Sequence, residues 1–241
     1  MQILPVKYNI QNSDNYGVKA PSFGHGSDHK ENHYTTKEKA IVATTTALGV
    51  AGSIALLAAF AKKPNGGKYS FNPKKMFTNI KDSYLAQVKF HDKEVISIGA
   101  GSCLGGLAGG YIIDKNKENR KAKRREALMQ IGNVSIPILT VEGAAKLSKN
   151  RGKVAKTCFA GCGLIIGVYM ANSLMNILSN ALIKNTNGRD VKATDFSAHL
   201  DDMVVAANYI SDAKIVHYIA RLIPFALMFA GNEVGNKTAQ D

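Results

Sequence analysis

Apolar and polar positions alternate in blocks along this chain. Ala40–Ala61 is uncharged for 22 residues, Val95–Ile113 for 19 and Thr157–Ile183 for 27. Two interrupted runs accompany them: Ala127–Val141 ends at Glu142, and Ile215–Asn232 carries His217, Arg221 and Pro224. At about 1.5 Å per helical residue, the three uninterrupted runs match a hydrocarbon core of about 30 Å. The pattern predicts an all-α chain, a polytopic α-helical integral membrane protein with five transmembrane helices. Residues 1–39 read as a polar, disordered tail. Residues 40–183 read as the membrane region. Residues 184–241 read as an amphipathic helix, a last membrane helix and a short polar tail.

The central run, VISIGAGSCLGGLAGGYII, is loaded with glycine. Gly101, Gly105 and Gly109 recur every four residues, and so do Ser102, Gly106 and Gly110. On a helix they form two adjacent ridges without side chains, where another helix can approach backbone to backbone. Gly163, Gly167 and Ala171 supply a similar ridge in the third run. In the first, Gly49 with Ser53, and the series from Ala43 to Ala59, are candidates to dock on the Gly101–Gly105–Gly109 ridge. Gly99, Gly101 and Gly105 also suggest a nucleotide-binding turn. That fingerprint needs glycine where Leu104 stands and an acidic strand end about 20 residues on. The chain instead enters DKNKENRKAKRRE.

Charge sharpens the picture. The net charge of +13 lies mainly in the connecting stretches. Asp114–Glu126 holds seven Lys or Arg in 13 residues and reads as a basic loop. Such loops suit anionic lipid headgroups as partners. No nucleic-acid-binding motif accompanies them. Pro73 opens a basic amphipathic helix over about 73–90, which suits the membrane interface. The polar start is too long for a secretory signal, so the first run reads as an uncleaved anchor. The two topologies consistent with the charge distribution differ in whether 127–141 crosses. With five spans the last run opposes the central one; if 127–141 does not cross, the last run returns in the same sense as the central one, with the chain's two ends on the same side.

Candidate chemistry is sparse. Cys103, Cys158 and Cys162 all fall inside apolar runs and read as small packing residues. His25, His29 and His33 are spaced by four within the tail, but Gly24 and Gly26 oppose a helix there. Asn172, Asn176, Ser179 and Asn180 form a polar stripe, and Glu142 and Arg221 are the charges that interrupt apolar runs. Together Asn172, Asn176, Asn180, Glu142 and Arg221 outline a candidate polar pathway, because polar groups in hydrocarbon face inward and seek partners. Asp195, His199 and Asp202 share a helix face with spacing suited to a divalent metal. No nucleophile–base pair, phosphate loop or zinc spacing is present, so no enzyme activity and no cofactor are expected. The expected role is structural or interaction-based in the plasma membrane, with a homo-oligomer as one form. An ion or small-solute channel or transporter is the alternative.

Overall fold

Helix α1, Thr36–Phe60, starts four residues ahead of the first uncharged run because a capping box sets its origin. The Thr35 hydroxyl accepts from the Glu38 N–H at 3.3 Å, and the Glu38 carboxylate accepts from the Thr35 N–H at 2.8 Å. Two orphan amides are thereby satisfied reciprocally. A computed structural model describes residues 34–63, 66–69, 92–184, 191 and 222–239. Among these, α1 is followed by α2 (Asp92–Ile113), α3 (Lys117–Leu147), α4 (Lys153–Ile183) and α5 (Ile223–Asn236), with no strand. Three of the five, α1, α2 and α4, are long and apolar enough to cross a membrane.

The basic stretch from Asp114 to Glu126 is not a loop. Only Asp114, Lys115 and Asn116 lie between α2 and α3. The Asn116 side chain accepts from the Glu118 and Asn119 N–H groups at 2.8 and 3.4 Å and so opens α3. Lys, Arg, Glu and Ala then continue it readily, since they rank among the good helix formers. The basic residues and Ala127–Val141 therefore belong to one 31-residue helix, with Pro137 inside it.

Close contacts fix the directions. Gly109 lies against Val42 and Gly101 against Gly49, so α1 and α2 are antiparallel. Gly99 meets Val134 and Gly110 meets Lys123, so α3 opposes α2. Gly163 meets Ala144 and Gly132 meets Met175, so α4 opposes α3. Gly106 meets Gly231 and Gly110 meets Gly235, so α5 runs parallel to α2. The last helix thus returns to the end of the bundle where α1 begins, which corrects the five-span topology, in which it would run the other way. Helix α5 also starts at the opposite end from the one at which α4 finishes.

Apolar packing fills the half of the bundle near the end of α1. Val50, Val95, Ile98, Val134, Ile138, Ile223 and Leu227 form one cluster from α1, α2, α3 and α5. A second, smaller cluster joins Cys103, Ala127, Ala230 and Val234.

Candidate functional site

Helix α2 is the hub of the bundle, packed against α1, α3 and α5, with glycines at its close approaches. A methyl group on Gly105 would overlap the Thr45 carbonyl oxygen and stand 3.0 Å from Thr46 Cα. One on Gly101 would overlap the Ser53 hydroxyl and stand 2.7 Å from the Gly49 oxygen. On the adjacent ridge, a methyl on Gly106 would overlap the Gly231 oxygen and stand 2.5 Å from its carbonyl carbon. Gly235 faces the Gly106 oxygen in the same way, 2.7 Å from an added methyl. Backbone carbonyls here lie against glycine Cα atoms, the arrangement that permits weak Cα–H···O contacts. Gly163 and Gly167 stand against α3, where a methyl on Gly167 would come within 2.5 Å of Pro137 Cα. On α1, the alanine series is not the contact line. Ala51 and Ala59 are exposed, while Val42, Thr46 and Val50 are buried.

Large apolar side chains cover much of the outside, and several polar ones are buried alongside the apolar core. Phe60 is 85% exposed, Phe229 74%, Ile177 68% and Leu48 65%. Lys123, Ser102, Thr46 and Ser179 are fully buried, and Glu126, Gln130 and Asn133 nearly so. Leaving large apolar side chains outside wastes about 1.5–3 kcal/mol of burial each in water. In lipid it costs nothing, since acyl chains are as apolar as leucine.

Several of the buried polar groups gather into a knot at the end of the bundle where α1 starts. The Lys123 ammonium donates to the Gly235 and Lys237 carbonyls, each at 2.7 Å, and to the Tyr34 hydroxyl at 3.0 Å. It also lies 4.7 Å from the Tyr34 ring centre. Tyr34 donates in turn to Asp114. Asp114 further accepts from the Asn116 N–H at 2.9 Å and the Asn119 amide at 2.8 Å. Burial opposes ionisation of Asp114. The hydrogen bonds from Tyr34, Asn116 and Asn119 and the charge of Lys123 outweigh it and hold the carboxyl below its ordinary range. Arg120 donates to the carbonyls of Asp114 and Tyr111 at 2.8 and 2.9 Å. Arg120 therefore caps the C-terminus of α2 and Lys123 that of α5, the termini where cations are favoured. Deeper in, the Gln130 amide donates to Glu126 at 2.9 Å and Glu233 at 2.6 Å, tying α3 to α5.

The described members of the candidate polar pathway are spread along the bundle. Glu142 stands on α3 at the end opposite the knot and pairs with Lys146 at 2.7 Å, one turn on. Asn172 is half-buried, and its side-chain oxygen has no hydrogen-bond partner. Asn176 is half-buried and Asn180 exposed near the C-terminal end of α4. Arg221, the amphipathic stretch near 73–90, the tail histidines and the candidate metal ligands Asp195, His199 and Asp202 lie outside the described residues. Sequence reasoning passed over Lys123, Gly231, Gly235 and Glu233. The signal for the glycines was their four-residue spacing, which matches that of Gly106 and Gly110. Comparison with protein families, with curated proteins and with solved structures found no match.

Proposed function

We propose that this chain is a polytopic integral membrane protein, resident in the plasma membrane, with a structural or interaction role rather than an enzymatic one. The observation that carries this reading is the outer surface: large apolar side chains such as Phe60, Ile177 and Phe229 face outward, while Lys123, Glu126, Gln130 and Asn133 are buried beside the apolar core. In lipid, association without a hydrophobic driving force depends on close packing, and the glycine contacts of α2 supply it. The basic ends of the helices suit anionic headgroups. A homo-oligomer remains part of the proposal, since the outer faces of α1 and α4 carry no partner helix among the described residues. Carbonate extraction of membranes tests the reading. Retention in the pellet supports it, and release into the supernatant overturns it.

A second reading, a channel or transporter, draws on Lys123, Glu126, Gln130 and Asn133, which are buried along α3. In the proposed setting, ionisable groups at membrane depth are costly and mark functional positions. Purified protein in liposomes, assayed for ion and small-solute flux, separates the two. Flux that is lost in Gln130→Leu favours transport, and its absence favours the structural role.

A further inference from the structure

We propose that the turn between α3 and α4, with the outer face of α4 next to it, is a binding site for an anionic phospholipid. The inference rests on the membrane reading above and goes further by placing one lipid class at one corner of the bundle. Five cations lie between Lys146 and Lys156: Lys146, Lys149, Arg151, Lys153 and Lys156. Glu142 neutralises Lys146. The other four have no acidic partner among the described residues, and no acidic residue occurs from Gly143 to Lys184. The opposite end of the bundle differs. There Arg120 and Lys123 are committed to helix caps and Asp114. The turn and the helix it opens therefore present four cations in a stretch without any acidic residue, whereas Lys115, Lys117, Lys121 and Arg124 at the other end share theirs with Asp114, Glu118 and Glu126.

An apolar track begins beside those cations. Val154 is 79% exposed, Cys158 and Cys162 are exposed, and Ile165 is 53% exposed. Gly161 lies among them with nothing within 4 Å of where a side chain would start. From Lys153 to Ile165 the helix rises about 18 Å, close to the depth of one leaflet of a core of about 30 Å. A phosphate placed on Arg151 and Lys153 would let one acyl chain lie along this track and over the open surface at Gly161. Charge complementarity selects an anionic headgroup, and the adjoining apolar track selects a lipid over a nucleic acid or an acidic protein. Arginine adds planar, bidentate recognition of phosphate oxygens.

The test uses the full chain purified in mild detergent, with thermal unfolding followed after adding phosphatidylglycerol or phosphatidylcholine at equal mole fraction. Phosphatidylglycerol should raise the midpoint more than phosphatidylcholine, and the excess should shrink as salt shortens the Debye length below about 10 Å. The variant Lys149→Gln/Arg151→Gln/Lys153→Gln should lose that excess and keep its response to phosphatidylcholine. Arg151→Gln alone should lose part of it, which guards against misfolding of the triple variant. Lys115→Gln/Lys117→Gln/Lys121→Gln, at the other end, should retain it. Equal shifts with the two lipids, or loss only in the second triple variant, overturn the site. An equal shift from soluble glycerol phosphate, or from a short oligonucleotide, overturns the lipid occupant. Protein that pellets through carbonate yet shows no lipid preference defeats this site alone, whereas protein in the supernatant defeats the membrane reading with it.

Discussion

Adding one methyl group to Gly105 should destabilise the bundle, although alanine is the better helix former by about 0.8–1 kcal/mol in water. The methyl would overlap the Thr45 oxygen and stand 3.0 Å from both the Thr45 carbonyl carbon and Thr46 Cα. These are backbone atoms of α1, so no rotamer change makes room and the helices must separate. A gap of about 0.5–1 Å forfeits a quarter to a half of the dispersion attraction of each contact it opens. Overpacking of this kind costs about 1–3 kcal/mol, occasionally more. Gly105→Ala should fall in that range and Gly105→Ile at or beyond its upper end. Gly161→Ala is the matched control, since nothing lies within 4 Å of that position, and it should be neutral or mildly stabilising. Leu104→Ile, at a residue 61% exposed, should also be silent. Thermal unfolding in detergent reads all four, with membrane insertion measured in parallel. If Gly105→Ala and Gly161→Ala melt together, α1 and α2 are not in contact through this ridge, and α2 is not the hub described above.

Three further outcomes follow from the polar groups. Lys123→Met should cost about 3–5 kcal/mol, the usual loss when one partner of a buried charged network is removed, because Asp114 and two carbonyls lose their cation; chemical or thermal unfolding measures it. Asp114 titrates lower folded than unfolded, so its contribution to stability is complete above the ordinary aspartate range and is lost as pH falls through the depressed value; Asp114→Asn should flatten that acidic limb of the stability–pH curve, and an unchanged limb would show the knot is not its source. Glu142→Gln should lower stability only slightly, because the Glu142–Lys146 pair is partly exposed, at 28% and 74% of its side chains; Asp92 of α2 also bonds the Glu142 carboxyl, so a large loss would show that this contact between helices carries the effect.

The helices α1, α2 and α4 are legible in the sequence because each carries a run long enough to bury or to span without charge. Helix α3 is not, and the reason is physical. Its first three turns carry the densest positive charge, which by local rules reads as a solvated loop. Lys123 has its partners on elements distant in sequence, Gly235, Lys237 and Tyr34, while Arg120 folds back onto the end of α2. The four-residue spacing of glycines in α2 is equally plain, but spacing does not say which helix each ridge faces. That Gly106 and Gly110 turn to Gly231 and Gly235 depends on α5 running parallel to α2, a matter of topology rather than local pattern.

The central claim is that the apolar outside of this bundle is covered by lipid. The chain contains no tryptophan, so a single introduced indole reports its own surroundings without background. Phe229 is 74% exposed on α5, midway along the helix, and Phe229→Trp leaves the glycine contacts untouched. In liposomes of brominated phospholipid, its fluorescence should be strongly quenched, while soluble acrylamide should have little effect. Quenching by acrylamide with indifference to brominated lipid would place that surface in water and contradict the account.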